Sequence, residues 1–316
     1  MYGTMPLQVA GRTSGQEAGR RTVWRRRRAE CATVSDMATG SRVCRNCGAL
    51  NGPSETRCYR CGRRFPGPIQ SALTTLVGGE LIATRGLLLL CLVVFGLAVA
   101  TDGRFPIAPE LGLGTRFRVS TWARFGALFP SVVWIAPWQL LSAVFFHFSL
   151  LHIGFNMWGL LAFGRQLEQR FGPARAIVLF LAAGIFGFVV SSFWYGAAGP
   201  ATGGASGGVF GQLGGIIGVI IARRLPGWKD ILFQNLVYAL IIGFMLRVNT
   251  AAHLGGFAMG GLLGYLFERE RVRPLTTQLL GALAVIGIVA SLGSVVLSMT
   301  SPLWREVRAM ELLREG

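Results

Sequence analysis

Charge is scarce in this chain. Only 14% of its 316 residues are Asp, Glu, Lys or Arg, where a soluble protein carries about 25%. The shortfall sets in after Gly86, where apolar runs of about 17–22 residues follow one another, the length a helix needs to cross the hydrocarbon core. A soluble globular class is thereby excluded for most of the chain. Acidic residues are scarcer still, 14 against 31 basic, and no Asp or Glu lies in the core of an apolar run. A proton-coupled transporter normally carries an intramembrane carboxylate, so that class is disfavoured. A full Ser-His-Asp triad inside the apolar segments is likewise unsupported. Histidine is reduced to three residues, His147, His152 and His253, all inside apolar segments. The first 70 residues contain no apolar core of the signal-peptide kind, so no secretory leader is expected.

The formal net charge of +17 raises the question of nucleic acid, and its distribution argues against that partner. Fourteen of the 31 basic residues lie at or before Arg85, and most others sit in short loops between apolar runs. This is how topology-setting charge is arranged, not a phosphate-binding stripe. The run Arg25-Arg26-Arg27-Arg28 reads first as part of a solvated tail and next as a contact for anionic headgroups. Residues 1–40 are polar and rich in Arg, Gly and Ser, a composition that leads us to expect disorder. Met37 stands close upstream of the first motif, so a translation start there is the second reading of this region, after the disordered tail.

Two knuckles, Cys44-Arg-Asn-Cys47-Gly48 and Cys58-Tyr-Arg-Cys61-Gly62, are separated by ten residues. Each presents two sulfurs from a tight turn, and two such pairs close a four-cysteine zinc site. The competing arrangement, two disulfides, needs an oxidising compartment. Residues 41–65 are therefore expected to form a zinc ribbon, a structural staple that could also dock a protein partner. Cys31 and Cys91 read as ordinary thiols.

Residues 66–83 form a linker, and seven apolar segments follow, over 84–101, 138–163, 175–195, 206–222, 231–246, 251–267 and 277–297. The expected class is an all-α polytopic membrane protein with a six-helix core and a seventh C-terminal transmembrane helix over residues 84–300, then a tail over 301–316. The few residues around Arg247 to Thr250 imply a tight hairpin. Between the first two segments the loop Asp102–Pro137 is itself apolar, and Trp122, Phe125, Phe129 and Trp134 are expected at headgroup level. With a cytoplasmic ribbon, the inside turns carry Arg165, Arg170 and Arg175, then Arg223, Arg224 and Lys229, then Arg269, Arg271 and Arg273. The positive-inside pattern then holds at each cytoplasmic turn, and a reduced cytoplasm suits zinc thiolates. The expected location is a plasma membrane of bacterial type, with the N-terminus cytoplasmic and the C-terminus outside.

Ionisable groups in a membrane segment are costly and usually functional. On one continuous helix, His152 and Asn156 share a face, about 40° apart, while His147 lies about 140° from His152 and points elsewhere. Gly203-Gly204-Ala205-Ser206-Gly207 opens the fourth segment and puts Ser206 at a helix N-terminus, where free N–H groups favour a developing oxyanion. Gly207, Gly211 and Gly215 repeat at four-residue spacing, as do Gly256, Gly260 and Gly264 after His253. Small-residue stripes of this kind also serve plain helix packing, and both readings apply together. Two glycine-faced helices can pack backbone to backbone and bring Ser206 to His253. A serine and a histidine are the minimum for nucleophilic acyl transfer.

His147-Phe-Ser-Leu-Leu-His152-Ile-Gly-Phe-Asn156, Gly204-Ala-Ser206-Gly207 and Ala252-His253-Leu-Gly-Gly256-Phe-Ala-Met-Gly260 resemble, in order, three signature motifs of the rhomboid intramembrane serine proteases. The resemblance covers roughly residues 84–300. It implies a rhomboid-like fold in which Ser206 is the nucleophile and His253 the base, with no cofactor for catalysis. It further implies that His152, Asn156 and the Ser206 N–H bind the oxyanion. Phe210 would stack on the catalytic imidazole, Gly204 would shape the nucleophile loop, and His147 would support. Substrates would be transmembrane segments of other membrane proteins, reached within the lipid bilayer. The family often has Trp-Arg before the second helix, and this chain has Trp138-Gln139, which puts the geometry of the first loop in question. The runner-up function is a non-proteolytic membrane-protein binder or quality-control scaffold, and a transporter or channel ranks last.

Overall fold

A computed structural model describes residues 42–65 apart from 45, 48, 53 and 54, then 81–227, 229, 230, 233, 234, 249–270 and 274–315. The expected fifth segment, 231–246, and the hairpin after it lie mostly outside the described residues. So do the tail over 1–40 and nearly all of the 66–83 linker. The chain divides into two compact units, 1–73 and 74–316.

In the first unit, a two-residue strand β1 (Arg42–Val43) pairs antiparallel with β2 (Leu50–Asn51). The tight turn between them is closed by the Cys44 N–H donating to the Ala49 carbonyl at 2.8 Å. The second knuckle is closed in the same way, Cys58 N–H to Arg63 O at 2.8 Å. Gly62, at φ +71°, takes the left-handed turn position that a side chain would strain. Asn51 ties the two knuckles together, because its Oδ1 accepts from the Tyr59 N–H at 3.0 Å.

The second unit is helical. Its elements are α1 (Ile82–Asp102), α2 (Val119–Arg124), α3 (Gln139–Ser142), α4 (Leu150–Gly159), α5 (Arg165–Phe171), α6 (Pro173–Tyr195), α7 (Ser206–Ala222), α8 (Thr250–Arg269), α9 (Pro274–Thr300) and α10 (Leu303–Glu315). A π-helical turn, Leu160–Gly164, joins α4 to α5. Among the described residues, three helical stretches are long and apolar enough to cross a membrane: Ile82–Asp102, Pro173–Tyr195 and Thr276–Leu313. α7 is a shorter apolar helix.

Three helices, α6, α7 and α8, form the centre, and their approach is set by glycine. A Cβ on Gly256, Gly260 or Gly264 would fall on the carbonyl oxygen of Gly207, Gly211 or Gly215 respectively. The two stripes therefore meet rung for rung, backbone on backbone. Without a hydrophobic drive between helices in lipid, this closeness supplies the dispersion contacts that hold them. Around them, Phe125, Phe145, Phe146, Phe180 and Leu128 fill a fully buried core.

The structure corrects several expectations. The segment 138–163 is not one helix: α3 ends at Ser142, and α4 starts only at Leu150, with Ser149 as its N-cap. The C-terminal stretch 301–316 holds the helix α10 rather than a bare tail. The first loop turns inward, with Phe125 fully buried and Trp122 and Phe129 packed against the core, while Trp134 stays 73% exposed. Gln139 also answers the question raised by the missing arginine. It is 1% exposed and its Oε1 accepts from the Phe129 N–H at 3.1 Å, which anchors the first loop.

Candidate active site

Ser206 opens α7, in the first turn, where backbone N–H groups have no acceptor one turn earlier. The strand of chain leading to it is fixed residue by residue. Thr202 exchanges two backbone hydrogen bonds with Leu128 of the first loop, at 2.8 and 2.9 Å. The Gly204 N–H donates to Ala143 O at 2.8 Å, and the Ala205 N–H to His147 Nε2 at 3.3 Å. Gly204 sits at φ +123°, and a Cβ there would lie 2.7 Å from His152 Nε2. Conformation and space both demand glycine at this position.

His253 lies in the first turn of α8, buried at 7% exposure. Asn249 caps this helix: its Oδ1 accepts from the Ala252 N–H at 3.0 Å, and its amide donates to the Ser191 and Thr202 hydroxyls. The cap thus joins α6, the loop before Ser206 and the helix carrying His253. Its signal was in the sequence, since Asn followed by a helical run is a preferred N-cap. Across the glycine interface, His253 Nε2 and Ser206 Oγ are 2.8 Å apart. The Phe210 ring stacks on the imidazole, with centroids 4.3 Å apart and planes 13° from parallel. No carboxylate of the described residues bonds to the His253 ring.

The facing wall is α4. The side chains of His152 and Asn156 both converge on the space beside Gly204. Asn156 Nδ2 donates to the His152 carbonyl at 2.9 Å, while its buried Oδ1 has no partner. His147 corrects the helical reading. It precedes α4, so the 100° step does not apply, and its ring lies 5.2 Å from that of His152, edge to face. It is fully buried, with Nδ1 3.1 Å from the Phe145 carbonyl and Nε2 accepting from Ala205. These distances fit the tautomer with hydrogen on Nδ1, and the ring links α4 to the chain just before Ser206.

Two buried carboxylates went unnoticed in the sequence. Glu168 accepts from the N–H groups of Ala83 and Thr84 and from the Thr84 hydroxyl, which caps α1. Asp102, at the other end of α1, takes the Arg118 N–H and the Thr121 hydroxyl. Neither reaches Ser206 or His253; both fasten α1.

In the other unit, the four sulfurs of Cys44, Cys47, Cys58 and Cys61 lie within 4.8 Å of one another. The pairs Cys44–Cys61 and Cys47–Cys58 are 3.6 Å apart, and all four are free thiols. A tetrahedron with metal–sulfur bonds of about 2.3 Å has sulfur–sulfur edges of about 3.8 Å, so the donors fit a tetrahedral metal. Burial works against ionisation of Cys58, but N–H groups of Cys61 and Arg60 and the neighbouring thiols outweigh it and lower that thiol to about 6. Its partner Cys47 is pushed up to about 12 by burial and the same thiol contacts. A thiolate is the form that binds metal.

Part of the second unit is similar to known proteins. Residues 136–270 match the Rhomboid domain. The chain is 36% identical over 143 residues to RHOMBOID-like protein 2 of Arabidopsis thaliana, covering 43% of each chain. It is 30% identical over 141 residues to Rhomboid-type serine protease 2 of Emericella nidulans, covering 42% of this chain and 27% of the relative. It is 28% identical over 188 residues to Rhomboid protease GluP of Bacillus subtilis, covering 57% and 36%. The chain thus spans less than half the length of each of these relatives. Ser206, His253, His152, Asn156 and the glycine interface all fall inside the matched segment, and over that segment this chain is similar to the Rhomboid domain.

Proposed function

We propose that this chain is an intramembrane serine endopeptidase that cleaves transmembrane segments of other membrane proteins. The observation that carries the reading is the 2.8 Å approach of Ser206 Oγ to His253 Nε2, at the meeting of two helix N-termini. His253 takes the hydroxyl proton as Ser206 Oγ bonds to the scissile carbonyl carbon. The oxyanion forms beside His152, Asn156 and the Ser206 N–H, which donate to it. Collapse breaks the C–N bond, and the proton passes from His253 to the departing amine. Water then gives a proton to His253, attacks the acyl-enzyme and releases the acid, and Ser206 recovers its proton. With no carboxylate of the described residues on the imidazole, orientation falls to the Phe210 stack. The names of the fungal and Bacillus relatives, which include serine protease and protease, support the same chemistry.

The distribution of arginine supports an orientation with the N-terminus cytoplasmic and Ser206 near the outer surface. A six-helix core with a seventh helix, α9, fits a multi-pass protein of the plasma membrane with its C-terminus outside. The four cysteines would hold a structural zinc ion, with no part in the reaction, and their unit could dock a protein partner. The test is cleavage of a transmembrane reporter: wild-type protein should cleave it and Ser206→Ala protein should not. Undiminished cleavage by the variant would end the proposal and return the scaffold reading.

A further inference from the structure

α10 lies outside the Rhomboid match, yet it grips the loop next to the site. Glu311 Oε1 accepts from the Val119 N–H at 2.7 Å and the Ser120 N–H at 3.3 Å, and Oε2 accepts from the Ser120 hydroxyl at 2.6 Å. A carboxylate 191 residues away thereby caps the first turn of α2, a favourable place for negative charge. Arg124, at the other end of α2, lies over the Trp304 ring at 4.8 Å, and Trp304 is itself fixed by its Nε1–H donating to Met299 O at 2.9 Å. Both ends of α2 are thus held by the C-terminal segment. Asp102 holds the same turn from α1, and the Glu311 contact is the one that comes from a distant part of the chain.

α2 in turn touches the oxyanion wall. Trp122 meets Phe148 edge to face at 5.0 Å, and Phe148 stacks on the His152 ring at 6.1 Å with planes 7° apart. Resting on the proteolytic reading above, we propose that Glu311 is a positioning residue, which fixes His152 through α2, Trp122 and Phe148. The carboxylate does not touch the reacting atoms. It sets where α2 sits, and aromatic contact carries that placement to the imidazole. A displacement of order 1 Å at a positioning group costs up to about 100-fold in rate.

The experiment measures kcat and KM for the transmembrane reporter with full-length protein. Wild type and Ser206→Ala are run beside Glu311→Ala, Glu311→Gln, Trp122→Leu and the double variant Glu311→Ala/Trp122→Leu. Glu311→Ala should lower kcat by about 10- to 100-fold with KM little changed. Glu311→Gln keeps an acceptor for the N–H groups and should recover most of the loss. Trp122→Leu breaks the same path, so the double variant should be no slower than the slower single one. Wild-type kcat in Glu311→Ala, a change in KM alone, or multiplying losses in the double variant would overturn the proposal. If wild type and Ser206→Ala act alike, it is the proteolytic reading that fails instead. Should Glu311→Ala not fold, Ser120→Ala, which removes one of the three hydrogen bonds, carries the same test with a smaller expected loss. Full kcat in that variant would then overturn the proposal.

Discussion

The two walls of the site are held by different physics. On the Ser206–His253 wall, α7 and α8 touch through bare backbone, glycine on glycine over three successive turns. On the His152–Asn156 wall, the His152 ring of α4 meets an aromatic stack that is backed by a loop anchored on Gln139 and by α2, which Glu311 caps from 191 residues away. The first wall has no slack, because a single added methyl meets a carbonyl oxygen. The second is assembled from many modest contacts, so it can shift by degrees. The proposed hydrolysis would use both properties, a fixed serine–histidine pair and an oxyanion wall whose placement can be tuned.

The sharpest way to break the contrast is at the glycine interface. Gly260→Val puts carbon into the Gly211 backbone and should destabilise the fold by the upper end of about 1–3 kcal/mol. It should also part Ser206 from His253. Thermal unfolding in detergent and labelling by a fluorophosphonate would read both effects, and normal labelling would show that the interface has slack after all. On the opposite wall, Asn156→Ala removes a donor without touching the dyad. It should lower kcat by about 10- to 1000-fold while leaving the unfolding temperature nearly unchanged.

Gln139→Ala probes the loop that backs the second wall. It strands the buried Phe129 N–H, at a cost of about 1–3 kcal/mol. A stability equal to wild type would mean that the loop stays in place without this hydrogen bond. The smallest effect is expected at the far end of the bundle, where Arg170 and Arg223 both pair with Glu268. Arg223→Ala should cost at most about 1 kcal/mol and leave kcat intact. A large loss of activity there would show coupling along α7 that the contrast between the walls does not include.

How far these features could be read in advance follows the same division. The glycine stripes, Ser206 and His253 sit at fixed spacings on regular helices, so periodicity shows that the two helices can pack and bring the pair together. His147 was misplaced because the 100° step was applied across residues 143–149, where the chain is not helical. The inward turn of Phe125 and Trp122 was missed because an apolar loop facing lipid and one facing a core have the same composition. Gln139 looked like a loss until its buried oxygen was found on the Phe129 N–H. The partners of Glu168 and Glu311, 84 and 191 residues away, leave no local pattern at all.

By itself the sequence determined the membrane class, the four-sulfur cluster and the serine–histidine pair, because apolar length, knuckle spacing and helical periodicity are local properties. The tertiary structure alone decided where the first loop lies, which wall His147 supports and that α10 reaches back to α2. Those contacts depend on which distant segments are brought together, and chain closure over such separations is set by packing rather than by any pattern along the chain.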